Sequence, residues 1–223
     1  AVITGAAQGF GKLLAEQLAQ RGAKLVISDV NQAAVQQVAE QIALSGAEVI
    51  AIQCDVAQNL QCKALVDTAI SHYQKVDIAV NNAGIAHDYS PLHQLDEGGL
   101  DQQFAVNVKG VQFGMSHQIE QMLQQGGGTV LNVSSMAGLG GAAMVGAYAM
   151  AKHAVLGLTK TAAIEYAKYN IRVNAVCPFF SYTKMVTDMA DGDTLAKLSK
   201  TTPMRRLAEP EEIVAVMLMM ISP

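Results

Sequence analysis

The stretch AVITGAAQGFGKLLAEQLAQR, residues 1–21, decides the fold. A short apolar strand, Ala1 to Ile3, runs through Thr4 into a turn containing Gly5, Gly9 and Gly11, and a helical pattern follows from Lys12 to Arg21. A strand that feeds a glycine-rich turn at a helix N-terminus presents backbone N–H groups and the positive end of the helix dipole to a phosphate, and glycines let that phosphate come close. Gly5, Gln8, Gly9, Phe10 and Gly11 are therefore candidate contacts to a pyrophosphate. The spacing is not G-x-G-x-x-G, so the common dinucleotide fingerprint is not met literally, and glycines in a tight turn are often only structural. What favours binding is the next strand, Lys24 to Ser28, which ends in Asp29, at the separation where a carboxylate meets adenosine ribose hydroxyls.

Outward from this unit, helical and strand patterns alternate. Helical Asn31 to Ser45, strand Glu48 to Gln53, helical Asn59 to Tyr73 and strand Val76 to Val80 are followed by helical Leu100 to Leu123 and strand Thr129 to Val133. Helical Ala147 to about Tyr169 and strand Arg172 to Val176 come next. Strands that are near-continuous apolar runs between helices predict an α/β fold: a doubly wound parallel sheet with helices on both faces, in a single Rossmann-type domain over residues 1–223. In such a sheet the carboxyl ends of the strands line the ligand crevice. Two of those ends carry polar signals. Asp55 with Val56 suits an adenine amino group, and suits an ordinary helix N-cap region equally well. Asn81, Asn82, Ala83 and Gly84 suit a strained turn against which a cofactor lies.

The stretch SSMAGLGGAAMVGAYAMAK, residues 134–152, carries the chemistry. Tyr148 and Lys152 are four apart on a helical pattern and so share one face. A phenol with an ordinary pKa of about 10 is a poor acid–base group at neutral pH, and an ammonium held close lowers it. Such a pair can trade protons with an alcohol or ketone. Ser135, at the end of the preceding strand, can point its hydroxyl into the same space. Asn107 falls on the buried face of its helix, either as a helix-to-helix hydrogen bond or as an irregularity that holds water near Lys152.

Composition narrows the classes. With 51% apolar residues and a formal charge of −4, the chain has ample core and no basic surplus for nucleic acid or anionic membranes. Cys54, Cys62 and Cys177 lack C-x-x-C spacing and read as free buried thiols of a reducing, cytoplasmic compartment. His72, His87, His93, His117 and His153 show no metal-ligand spacing and read as structural or exposed, so no metal is expected. No apolar run reaches the ~18 residues of a membrane span. The chain opens on a strand without methionine and stops after a helical pattern, so both ends are expected to be trimmed.

The segment from about 178 to 208 has weak periodicity and reads as a substrate loop or lid. Its methionines, with Met136, Met144 and Val145, predict an adaptable apolar pocket. The helix from Ala147 is small and apolar around much of its circumference, which predicts one side on the sheet and the other on a partner subunit.

Taken together, Thr4-Gly-x-x-x-Gly-x-Gly11, Asp55, Asn81-Asn-Ala-Gly84, Asn107, Ser135, Tyr148-x-x-x-Lys152, and Pro178 with Thr183 resemble the short-chain dehydrogenase/reductase family, in order over nearly the whole chain. The resemblance implies an oxidoreductase that uses NAD, less readily NADP, to interconvert a small-molecule secondary alcohol and a ketone, assembled as a homodimer or homotetramer. It implies Tyr148 as general acid–base, Ser135 on the substrate oxygen, Lys152 on the nicotinamide ribose and lowering the phenol, and Asn107 anchoring a relay water. It also implies cofactor contacts from Gly5, Gln8, Gly9, Phe10, Gly11, Asp29, Asp55, Val56, Asn82, Ala83, Gly84, Tyr148, Lys152, Pro178 and Thr183. The chain departs from the family at Pro178-Phe179, where Pro-Gly is usual, and in stopping before the family's final strand. A 3-oxoacyl-carrier-protein reductase using NADPH would share every catalytic residue, although Gln8 stands where such relatives often carry a cation. A dinucleotide-sensing protein without chemistry is the non-enzyme alternative.

Overall fold

The structure is a computed structural model and describes residues 1–86, 89–188 and 191–222, so His87 and Met189 lie outside the described residues. β1 (Val2–Thr4) sits inside a six-stranded parallel sheet with β2 (Leu25–Asp29), β3 (Val49–Gln53), β4 (Ile78–Asn81), β5 (Gly128–Val133) and β6 (Ile171–Val176), in the order β3-β2-β1-β4-β5-β6. The chain winds outward from β1 to β3, then crosses back to build β4 to β6 on the other side. The reversal between β1 and β4 is the switch point at which an open α/β sheet binds its ligand.

The strands are apolar on both sides because both faces are covered. Ile3, Leu25, Ile27, Val80 and Leu131 pack under α1 (Gly9–Ala19), α2 (Gln32–Ala43) and α9 (Pro210–Ile221). Val2, Val26, Ala79, Val130 and Val173 pack under α3 (Asn59–Tyr73), α5 (Gly110–Gln125) and α6 (Gly146–Tyr166). Among the described residues no helix is long and apolar enough to cross a membrane.

Three elements differ from the sequence reading. The single helix expected over Leu100 to Leu123 is α4 (Glu97–Gln103), a π-helical stretch over Phe104–Lys109, and then α5. The segment expected to be a loop over 178–208 contains α7 (Lys184–Thr187) and α8 (Gly192–Thr201). Its Asp and Gly residues read as loop formers, but Asp191 caps α8 by accepting from Thr194 N at 2.8 Å. On α6, Ala162 is core, so the outward apolar face is narrower than expected; it includes Met150 and Ile164, the latter 82% exposed.

A buried polar chain ties β4, α5, β5 and α6 together. Asn81 exchanges two hydrogen bonds with Gln118, at 3.0 and 2.9 Å, and donates to Asn132 Oδ1 at 2.9 Å. Asn132 in turn donates to Thr159 on α6 at 2.9 Å. Gln118→Leu conserves volume but strips Asn81 Oδ1 of its donor, which should cost about 1–3 kcal/mol. Urea unfolding should show a lower midpoint at unchanged slope, and a midpoint equal to wild type would contradict the role assigned to the chain.

Candidate active site

The crevice opens at the carboxyl ends of the strands, a cavity of about 1000 Å³. Its first wall is the turn before α1. Gly5 has φ of +65°, and a Cβ there would lie 2.7 Å from Ala83 Cα, so the turn can neither carry a side chain nor adopt another backbone without parting from β4. Gln8 gives α1 no side-chain cap, which leaves the N–H groups of its first turn to a ligand. Gly5, Gln8, Gly9 and Phe10 line the cavity, whereas Gly11 is buried behind them, packed on the Gly5 carbonyl. Gly11 is therefore a packing glycine rather than the expected contact.

Asp29 lines the crevice at the tip of β2, held by Ala7 N on Oδ2 at 3.1 Å and Asn31 N on Oδ1 at 3.0 Å. Asp55 and Val56 line it from β3, and Asp55 Oδ1 also accepts from Ala57 N at 3.0 Å. Asp55 thus makes its own turn, three residues ahead of Gln58, the N-cap of α3, and lines the cavity. Thr4 Oγ1 accepts from Asn82 N and Ala83 N, each at 3.1 Å, and fixes the turn that puts Asn82, Ala83 and Gly84 in the lining. A Cβ on Gly84 would lie 2.8 Å from Asn107 Oδ1 and 3.5 Å from Lys152 Nζ, so only glycine lets these three meet.

Asn107, in the π-helical stretch, is completely buried. Its amide is clamped by Ile85, whose N donates to Oδ1 at 2.9 Å and whose O accepts from Nδ2 at 2.8 Å, and by Gln103 Oε1 at 2.6 Å. The irregularity weighed for this helix is present, and Asn107 does not line the cavity but props the wall behind Gly84. Gln103 carried no sequence signal, since a polar residue one turn before Asn107 reads as surface.

Ser135, Tyr148 and Lys152 converge on the floor. The Lys152 ammonium donates to Val133 O at 2.9 Å and lies 5.5 Å from the centre of the Tyr148 ring. Burial lowers its pKa to about 8. Burial also pushes the Tyr148 phenol up, and the neighbouring Ser135 hydroxyl pulls the other way. In this geometry the Lys152 ammonium is turned to Val133 O, and the Ser135 hydroxyl favours the phenolate. Pro178 and Thr183 complete this end, with Met136, Val145 and Met185, whereas Met144 and Met204 are not in the lining.

The order of these elements is that of a known family. A family model described as enoyl-(acyl carrier protein) reductase matches residues 5–223. A cyclohexanol dehydrogenase of Acinetobacter is 36% identical over 222 residues, covering 100% of this chain and 87% of the relative. The chain is a short-chain dehydrogenase/reductase. A cis-4-hydroxycyclohexanecarboxylate dehydrogenase of Sinomonas cyclohexanicum is 38% identical over 213 residues, 96% of this chain and 85% of the relative. A 3-ketoacyl-(acyl-carrier-protein) reductase from Brucella melitensis, solved with NADH, superposes with a TM-score of 0.91 at 32% identity over 100% of this chain and 90% of that one. As a short-chain dehydrogenase/reductase the chain is an NAD(P)-dependent oxidoreductase that interconverts alcohols and ketones.

Proposed function

We propose that the chain oxidises cyclic secondary alcohols, or reduces the matching ketones, with NAD(H), and that Tyr148 exchanges the proton. The observation that carries this is the meeting of Ser135, Tyr148 and Lys152 at the floor of a crevice whose far end is apolar. The residues fit a dinucleotide: the Gly5–Gly9 turn at the uncapped start of α1 suits the pyrophosphate, Asp29 the adenosine ribose, Asp55 and Val56 the adenine, and Lys152 with the Asn82–Gly84 turn, Pro178 and Thr183 the nicotinamide end. Bound there, the nicotinamide supplies the hydride acceptor or donor. The protein does the rest. Ser135 hydrogen-bonds the substrate oxygen, and Tyr148 takes the alcohol proton in one direction and returns it in the other. Asn107 keeps the Gly84 wall in place beside Lys152.

Support for a ring substrate comes from the two relatives whose names carry a cyclohexane ring and from the apolar side chains of the far end, Met136, Leu139, Phe179, Met185 and Leu198. The carrier-protein reductase reading predicts NADPH, and neither Gln8 nor Val30 beside Asp29 offers a cation to a 2′-phosphate. The three catalytic groups arriving together weigh against a silent dinucleotide sensor. Met150 and Ile164, outward on α6, support a homodimer or homotetramer through that face, and three free cysteines suit the cytoplasm. The test is a panel of cyclic, aliphatic and aromatic secondary alcohols with NAD⁺. Turnover should be highest with the cyclic members, and a preference for long open chains would reject the substrate class.

The pH dependence follows from the burial of the phenol and the Ser135 hydroxyl near it. Alcohol oxidation requires the phenolate, so a phenol raised by burial gives kcat/KM for oxidation that climbs with pH into the alkaline range. Ser135→Ala removes the hydroxyl that pulls the phenol down, and the climb should move to higher pH. A climb that stays in place or moves to lower pH would contradict the Ser135 assignment.

A further inference from the structure

The loop after Ser135 brings Gly140, Gly141, Ala142 and Ala143 to the lining of the crevice, residues with almost no bulk. A Cβ added at either glycine would meet nothing within 4 Å, so this side leaves the substrate space wide. Across from it, the segment that follows β6 brings bulk to the same crevice. There Phe179 lines the crevice while 46% exposed, and packs on Phe180 with ring centres 4.5 Å apart and planes tilted by 45°.

The backbone under this pair is pinned on two sides. Pro178 O accepts from Met136 N at 2.9 Å, which ties it to the residue after the catalytic serine. Phe180 O accepts from Ala208 N and Tyr182 N donates to Ala208 O, both at 3.0 Å, while Leu207 beside it is fully buried. The backbone that carries Phe179 is thus fixed, and its ring packs on Phe180. A flat apolar surface lining the same crevice as Ser135 and Tyr148 suits the face of a saturated six-membered ring, whereas a flexible chain must freeze its torsions to cover the same area.

We propose that Phe179, backed by Phe180, is the specificity-determining residue of this site, selecting ring-shaped secondary alcohols and ketones over open-chain ones of equal carbon number. The proposal rests on the alcohol–ketone reading of the same crevice and deepens it. Phe179 touches the substrate ring and moves no proton, so its removal changes which substrates bind rather than how they react.

The test uses two unreactive carbonyl compounds, N-cyclohexylformamide and N-hexylformamide, titrated calorimetrically into the protein saturated with NADH. Wild type should bind the cyclic compound more tightly. Phe179→Ala should weaken the cyclic compound about 10-fold and the open-chain one by less than about 3-fold, and Phe179→Leu, which keeps apolar volume without the flat ring, should fall between. KM for cyclohexanol should rise in parallel, with kcat held within about 3-fold of wild type. An unchanged cyclic-to-open-chain ratio in both variants would overturn the proposal. So would a loss of NADH affinity in the alanine variant, which would place the ring on the cofactor instead. A wild type that selects the cyclic formamide yet oxidises no alcohol would reject the dehydrogenase reading and leave the Phe179 assignment standing.

Discussion

Tyr148→Phe is expected to lower kcat for alcohol oxidation and for ketone reduction by about 10²–10⁴-fold, the range over which a positioned acid–base group acts. Removing one hydroxyl leaves the ring, its packing and the α6 backbone in place, and the Lys152 ammonium keeps its bond to Val133 O. NADH affinity, read by calorimetry, should therefore stay within about 3-fold of wild type while turnover collapses, the signature of an interaction made in the transition state. The loss should be similar in both directions, since the same proton is taken and returned. Near-normal turnover would mean that another group, or solvent, moves the proton.

The second large effect is on cofactor choice. Asp29 stands at the tip of β2 with each carboxylate oxygen already accepting one backbone N–H, so it is fixed toward the crevice rather than free to retreat. A 2′-phosphate would bring negative charge beside it. Like charges ~4 Å apart at an effective dielectric of ~20 repel by roughly 4 kcal/mol before relaxation and screening. Even half of that, about 2 kcal/mol, is a factor of roughly 30 in affinity. Val30, exposed at the lip, is the natural place for a cation. Asp29→Ser combined with Val30→Arg should move the NAD(H)-to-NADP(H) ratio of kcat/KM by on the order of 10²-fold and reverse the preference. A ratio that stays put would make Asp29 a strand-end cap and nothing more.

Much of this site was legible because its signals are local. The Gly5 to Gly11 turn, Asp29 at a strand end, and Tyr148 four residues before Lys152 each declare themselves within a dozen residues, and the strand order then brings them to one crevice. What stayed hidden depends on pairings across the fold. Gln118, Asn132 and Thr159 look like ordinary polar residues until Asn81 joins them. The π-helical turn carries Asn107 to both Ile85 and Gln103, and helical periodicity carries no mark of that. α8 was missed because one aspartate serves equally as a loop former and as a helix cap. Charge effects were the least legible. The four-residue spacing placed Lys152 on the same helix face as Tyr148, but the direction in which a long side chain extends is set by its best acceptor, here Val133 O.

In steady-state oxidation of cyclohexanol by the wild-type chain, with each cofactor at the same pH, turnover is expected with both NAD⁺ and NADP⁺ and kcat/KM at least ~10-fold higher with NAD⁺. Equal efficiencies, a preference for NADP⁺, or no oxidation of the alcohol alongside NADPH-driven reduction of a 3-oxoacyl thioester would contradict it.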